Sequence, residues 1–292
     1  MNTEEIIELL KSDPNDLLGS RFANAIEPAD EQPELIATIR ISNYCSENCE
    51  RCDDRISNSG LKRYRMATEE IIGSAKQVIN HGLKTIELES GLDTYFDADL
   101  ISHLIYSIKN ISNVKVILNI GDRTEQEYLL WKIAGADSVI LKSGNSKTEV
   151  RLEKLRCLRK HGITTGSVFI PDLSAQFPGN IADEILLIGR SELALLKINL
   201  PSVASSVISV DENLKYNFLT LLKILNRNMK IAIPYYLIES GMYQRNRLKL
   251  LGINSFLVDY TPSGYLRFNN LRDSVKVKKD IQGLISGQLN AG

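Results

Sequence analysis

The stretch Leu35-Ile36-Ala37-Thr38-Ile39-Arg40-Ile41-Ser42-Asn43-Tyr44-Cys45-Ser46-Glu47-Asn48-Cys49-Glu50-Arg51-Cys52 carries the reading of the fold. Its first eight residues are rich in apolar and β-branched types and have a strand's length. The rest is a loop with cysteines spaced C-x3-C-x2-C. Three thiols on a loop that directly follows a strand suit metal ligation in a reducing compartment. Three thiolates on so short a loop can wrap one iron–sulfur cube and leave its fourth iron open. Structural zinc and incidental cysteines stay as alternatives. Zinc wants four tetrahedral ligands, and no paired C-x2-C or histidine pair supplies the fourth. The remaining cysteine, Cys157, reads as a small apolar residue on a helix.

Outward from this loop the chain alternates strand and helix. Strands are read at about 35–42, 85–89, 114–120, 138–141, 164–170, 193–198, 230–233 and 255–259. Helices are read at about 68–80, 98–110, 124–133, 146–160, 181–188, 213–225, 243–251 and 274–285. Thr68 reads as a helix N-cap and Ser146-x-x-Glu149 as a capping box. Gly82, Gly135, Gly162 and Gly252 read as stops. Parallel neighbours need helical crossovers, and eight such units predict closure into a (β/α)8 TIM-type barrel. The expected layout is one domain over 1–292. An N-terminal helical extension covers 1–34, the barrel 35–260, and a tail with a C-terminal helix 261–292. In such a barrel the loops after the strands line the catalytic face.

Composition limits the function. The 292 residues are 43% hydrophobic, with 35 basic and 36 acidic residues and a net charge of −1. This balance predicts no nucleic-acid partner and no membrane-surface role. Lys276-Val277-Lys278-Lys279 reads as a solvated helix face. No apolar run is long enough to span a bilayer, and the N-terminus does not read as a signal peptide. A cytoplasmic protein is expected.

The C-x3-C-x2-C loop after the first strand resembles that of the radical S-adenosylmethionine superfamily. Gly60-Leu61-Lys62-Arg63-Tyr64-Arg65-Met66-Ala67-Thr68 and Thr85-Ile86-Glu87-Leu88-Glu89-Ser90-Gly91-Leu92-Asp93-Thr94-Tyr95 are similar to segments of the subgroup that holds the hydrogenase maturase HydE, methylornithine synthase PylB and biotin synthase. Leu155-Arg156-Cys157-Leu158 and Tyr260-Thr261-Pro262-Ser263 also have counterparts there. The resemblance covers about residues 35–270. It implies a 4Fe–4S cluster on Cys45, Cys49 and Cys52 that reductively cleaves S-adenosylmethionine to a 5′-deoxyadenosyl radical. It implies a small amino-acid-like or thiol-containing substrate and an electron donor such as flavodoxin or ferredoxin. Hydrogenase maturase-like and methylornithine synthase-like roles both follow from it.

The same resemblance implies cosubstrate contacts at Glu89, Ser90, Gly91, Asp93, Lys142, Lys154 and Arg156. Tyr64 and Arg65, between the cysteine loop and the first helix, either pack that loop shut or contact the cosubstrate. Asp93 and Asp259, at strand ends on the catalytic face, are read as substrate contacts or as loop acids. The chain departs from the pattern in four places. Arg51 replaces the aromatic before the third cysteine, and Leu92 replaces the acid after Gly91. Lys142-Ser143-Gly144 replaces an Arg-x-Glu, and Lys154 replaces an arginine, which loses a bidentate fork. A descendant that keeps the cluster as a scaffold or partner protein without cleaving the cosubstrate is the alternative reading. Glu87 and Glu89 alternate with apolar residues, so both face one side of their strand, and either they point into the barrel mouth or the strand is misaligned. Phe177-Pro178-Gly179-Asn180 reads as a turn.

Overall fold

The computed structural model describes residues 1–13, 26–30, 32–49, 52–142, 148–170, 178–199 and 211–266. Its strands are β1 (Glu34–Arg40), β2 (Thr85–Glu89), β3 (Lys115–Asn119), β4 (Ser138–Leu141), β5 (Thr164–Phe169), β6 (Leu195–Ile198), β7 (Lys230–Pro234) and β8 (Ser255–Asp259). They close in sequence order into a barrel, each parallel to its neighbours, with β8 returning to β1. This is the predicted TIM-type barrel. Helices α1 (Thr3–Lys11), α2 (Thr68–Asn80), α3 (Ala98–Ile111), α4 (Glu125–Ala134), α5 (Thr148–Lys160), α6 (Pro178–Gly189), α7 (Glu212–Leu225), α8 (Tyr236–Glu239), α9 (Arg245–Leu250) and α10 (Ser263–Leu266) accompany the strands.

Alternation along each strand sorts residues into two environments. Outward positions such as Ile39, Leu88, Leu118 and Phe256 pack under the helices. Inward positions build layers along the axis. Ile36, Ile117, Ile140, Val168, Leu195, Ala232 and Leu257 form a dry lower plug. Gly166 lies inside this wall, where a Cβ would meet the Leu195 carbonyl at 2.8 Å. One step up, the inward residues turn polar and include Thr38, Glu87, Asn119 and Lys197. Two residues further along their strands, Arg40 and Glu89 reach the C-terminal mouth, and Asp259, two residues beyond Leu257 of the plug, ends β8 in register with Thr38. A lysine inside Leu195-Leu196-Lys197-Ile198 marks an inward polar site on a buried strand, beyond the site residues read from the sequence.

Several local expectations change. Ala67, not Thr68, precedes the first turn of α2, and its N–H donates to the Glu70 carboxylate at 2.8 Å. The acid three residues on therefore caps the helix without a side-chain acceptor at the N-cap. Pro178 opens α6 instead of sitting in a turn, because a proline costs no hydrogen bond at the first helical position. Gly82, Gly135, Gly162 and Gly252 adopt positive φ, as stop signals require. Helix α1 is held by Asn217, whose amide donates to the carbonyls of Leu9, Leu10 and Ser12. The readings at Arg51, Ser143, Gly144, Ser146, Phe177, Lys276–Lys279 and the helix at 274–285 lie outside the described residues.

Candidate active site

The cysteine loop leaves β1 at the mouth and is stitched to two other segments. The first is residues 62–65. Asn43 donates to the Lys62 carbonyl at 2.9 Å, and the Tyr64 N–H donates back to the Asn43 side chain at 2.7 Å. Arg63 reaches across to the carbonyls of Asp54 and Arg55, at 2.9 and 2.7 Å, and to that of Asn43. Tyr64 is buried, and its hydroxyl donates to the Arg40 carbonyl at 3.0 Å. Arg65 grips Asp93 through two N–H groups at 2.8 and 2.9 Å. Its guanidinium lies over the Tyr44 ring at 3.9 Å and near that of Tyr95.

The second segment is the loop after β2. Ser46 N–H donates to the Leu92 carbonyl at 3.0 Å, and Ser42 donates to Asp93 at 2.6 Å. Gly91 is pressed so close that a Cβ would stand 2.5 Å from Cys45 Cβ and collide with the Tyr44 carbonyl. Glycine is required there by approach, not by φ. Two backbone N–H groups, of Glu47 and Leu92, point at Cys45 Sγ, each at 3.4 Å. Such amides are hydrogen-bond partners of the kind that surround a metal-bound sulfur.

The three thiols share one electrostatic neighbourhood. Burial pushes Cys49 up, and the nearby Cys45 adds to the rise. Burial pushes Cys52 up too, with Asp54 adding to it. Lys142 opposes the rise at both cysteines. Its ammonium donates to the Ser90 carbonyl at 2.7 Å, which places it between the cysteine loop and Glu89. Three soft sulfurs, amides aimed at one of them and a cation beside them form a donor set that fits an iron–sulfur cluster.

Beneath the mouth lies a buried charge network. Glu87 accepts from Thr38 at 2.6 Å, Asn119 at 2.8 Å and Lys197 at 3.0 Å. Glu89 accepts from Arg40 at 3.1 Å and from Lys197. Burial alone would push the Glu89 carboxyl up. Lys197, Arg40 and Lys142 outweigh it and hold the group well below the usual carboxylate range. Burial would likewise strip the proton from Lys197, but Glu87 and Glu89 outweigh it and keep the ammonium charged. Asp259 is pushed up by burial, against hydrogen bonding from Thr261.

The geometry redistributes the predicted site residues. Cys45, Ser90, Gly91, Lys142, Glu89 and Asp259 gather at one rim or just beneath it. Asp93 also stands there, but it is only 3% exposed and its carboxylate is taken up by Arg65 and Ser42. Those bonds hold Asp93 below its ordinary range although burial pulls the other way. Tyr64 and Arg65 therefore pack the loop shut. Lys154 pairs with Asp122 at 3.3 Å and lines a groove between α4 and α5, and Arg156 is exposed on α5. Cys157 is half-buried, with its thiol bonded to Glu125, rather than an inert apolar residue. Arg40 joins the predicted set at the level of Glu89, and Glu87 and Lys197 extend the site below it. Their signal was charge at inward positions of buried strands.

No family model matches the chain. The chain is 29% identical over 260 residues to the [FeFe] hydrogenase maturase subunit HydE of Thermotoga maritima, covering 82% of this chain and 74% of that protein. Among solved structures, the [FeFe]-hydrogenase maturase HydG superposes with a TM-score of 0.76 at 17% identity, over 98% of this chain and 72% of that one. Methylornithine synthase PylB superposes with a TM-score of 0.69 at 16% identity, over 99% and 93%. Together with the three-cysteine loop, the likenesses point to the radical S-adenosylmethionine superfamily. Within it, they point to the HydE/PylB-like proteins.

Proposed function

We propose that the chain is a radical S-adenosylmethionine enzyme acting on a small, amino-acid-like or thiol-containing substrate, in the manner of a hydrogenase maturase or methylornithine synthase. The observation that carries this reading is the cysteine loop seated on Gly91 at the barrel mouth, with amides directed at Cys45 and Lys142 beside Cys49 and Cys52. Cys45, Cys49 and Cys52 would hold a 4Fe–4S cluster. When bound, that cluster supplies the electron that cleaves the cosubstrate to a 5′-deoxyadenosyl radical.

The chain's own residues position and shield. Arg63, Tyr64 and Arg65 fix the loop, and Asp93 serves that clamp. Lys142 is the cation best placed for a cosubstrate carboxylate, ahead of Lys154 and Arg156 on the outer ring. Glu89 is the nearest acid for an ammonium group, with the Ser90–Gly91 backbone beside it. Arg40, Lys197, Glu87 and Asp259 form a charged floor suited to a zwitterionic substrate. No described helix is long and apolar enough to cross a membrane. A cytoplasmic location and a flavodoxin- or ferredoxin-type electron donor complete the reading.

One observation favours a second reading, a cluster-bearing scaffold. Leu92 takes the place of an acid, while Asp93 and Glu89 are both engaged by arginine or lysine. Anaerobic reconstitution decides between the two. The enzyme reading expects about four irons per chain, loss of the cluster in Cys49→Ala, and 5′-deoxyadenosine on reduction with S-adenosylmethionine. Four irons without 5′-deoxyadenosine would leave the scaffold. One zinc and no iron uptake would remove both.

A further inference from the structure

A second cluster of metal-ligating side chains lies outside the mouth. Glu153, Cys157 and His161 recur every fourth residue, so they follow one face of α5 and its C-terminal turn. Glu125 enters from the first turn of α4. The Cys157 sulfur, a His161 ring nitrogen and a Glu125 carboxylate oxygen all lie within 4.8 Å of one another. His161 Nε2 is 2.5 Å from Glu125 Oε1, and the Cys157 thiol bonds the same carboxylate. The backbone at His161 is fixed by its N–H to the Cys157 carbonyl, at 3.3 Å, and by Lys132 on its own carbonyl. A groove of about 300 Å³ opens beside the three, lined by Glu125, Tyr128, Glu153, Lys154, Cys157 and Leu158.

We propose that Glu125, Cys157 and His161 form a second metal site, on the barrel flank, for a zinc-like divalent cation. One sulfur, one imidazole nitrogen and one carboxylate oxygen suit zinc or cobalt(II) and not the all-oxygen preference of magnesium or calcium. Bonds of roughly 2.0–2.3 Å require these donors to close around the ion by small side-chain rotations at a half-exposed surface. Binding deprotonates the Cys157 thiol and releases one proton to solvent. Thiolate and carboxylate then balance the dication, and neutral His161 completes three ligands. Water from the groove, or Glu153, supplies the fourth. Lys160, the cation beside the thiol, is exposed and can turn into solvent. None of these residues belongs to the mouth, so the inference does not rest on the reaction proposed above.

Cobalt(II) and zinc are the probes, added to the full chain carrying its reconstituted cluster. One equivalent of cobalt should give visible d–d bands with a thiolate charge-transfer band. Cys157→Ser and His161→Ala should weaken binding at least about tenfold. The full chain with Cys45, Cys49 and Cys52 all changed to Ala should keep its one cobalt. Zinc should slow alkylation of Cys157, mapped by mass spectrometry, by about tenfold or more, a readout that needs no variant. Cobalt bound only when the loop cysteines are present, or alkylation of Cys157 unchanged by zinc, overturns the proposal.

Discussion

The interior of the barrel and its rim use charge in opposite ways. Inside, Glu87, Glu89, Lys197 and Arg40 bind one another, and three of the four are almost fully out of water. At the rim, Arg65 grips Asp93 while 37% of its own side chain stays exposed. The interior set builds a floor from strands far apart in sequence, joining residues 38, 87, 119 and 197. The rim set joins neighbours within residues 42–93 and fixes a loop. Burial raises what is at stake in each bond: an interior acid that loses its cation has no water to fall back on, whereas a rim arginine has.

Removing the interior cation is the sharpest way to break this contrast. Lys197→Met leaves two buried carboxylates without their shared ammonium and should lower stability by about 3–5 kcal/mol, read by urea unfolding. Adding Glu87→Gln should restore part of that loss, because one of the stranded charges is gone. If the single variant unfolds like the wild type, the interior network does not hold charge as drawn.

The rim should respond more weakly in stability and more strongly in cluster loading. In Gly91→Ala the new methyl meets backbone of the cysteine loop, which has to shift. A loss of about 1–3 kcal/mol is expected, together with iron content clearly below wild type after reconstitution. Normal iron content would mean that the contact between the two loops does not set the cysteine positions. Arg65→Ala should cost about 1–2 kcal/mol, mostly from the buried Asp93 left short of donors. Urea midpoints measure both effects, and a loss in Arg65→Ala as large as that in Lys197→Met would erase the distinction between floor and rim.

The smallest expected effect is on pH. Glu89 and Asp93 both sit below their ordinary range in the folded chain. A depressed carboxyl contributes stability above its unfolded pKa of about 4, and that stability drains as pH falls through the folded value. Asp259 is raised, so its contribution has the opposite sign and is lost as pH rises through its folded value. In Arg65→Ala, Asp93 loses the partner that depresses it. Stability below about pH 4 should therefore fall less steeply than in the wild type. Equal acid slopes would show that Arg65 is not what holds Asp93 ionised.

Much of this was legible in the chain. The spans of β2, β4 and β8 agree with the reading to the residue, and α2 differs in its N-cap alone, because each is bounded by glycine, proline or a polar turn and carries one clear periodicity. The cysteine loop was legible because three soft ligands on one short loop have few other uses. The roles around it were less so. Asp93 reads as a ligand in sequence, yet Arg65 lies 28 positions upstream, and only the folded loop brings the two together. Lys197 lies 110 residues from Glu87. No local pattern links them until β2 and β6 face each other across the axis. Cys157 reads as apolar because its partner, Glu125, belongs to a different helix.

The groups that stitch the cysteine loop to its neighbours lie between Arg40 and Lys142, whereas the ammonium that neutralises Glu87 and Glu89 is residue 197. During synthesis at roughly 5–20 residues per second, the loop and its supports leave the ribosome roughly 3–10 s before that lysine does. Through this interval Glu87 lacks its ammonium partner, Glu89 has Arg40 and Lys142 alone, and the strands that close the barrel are still to come. The nascent chain thus presents its three thiols on a nearly finished frame while the barrel behind them is still unclosed.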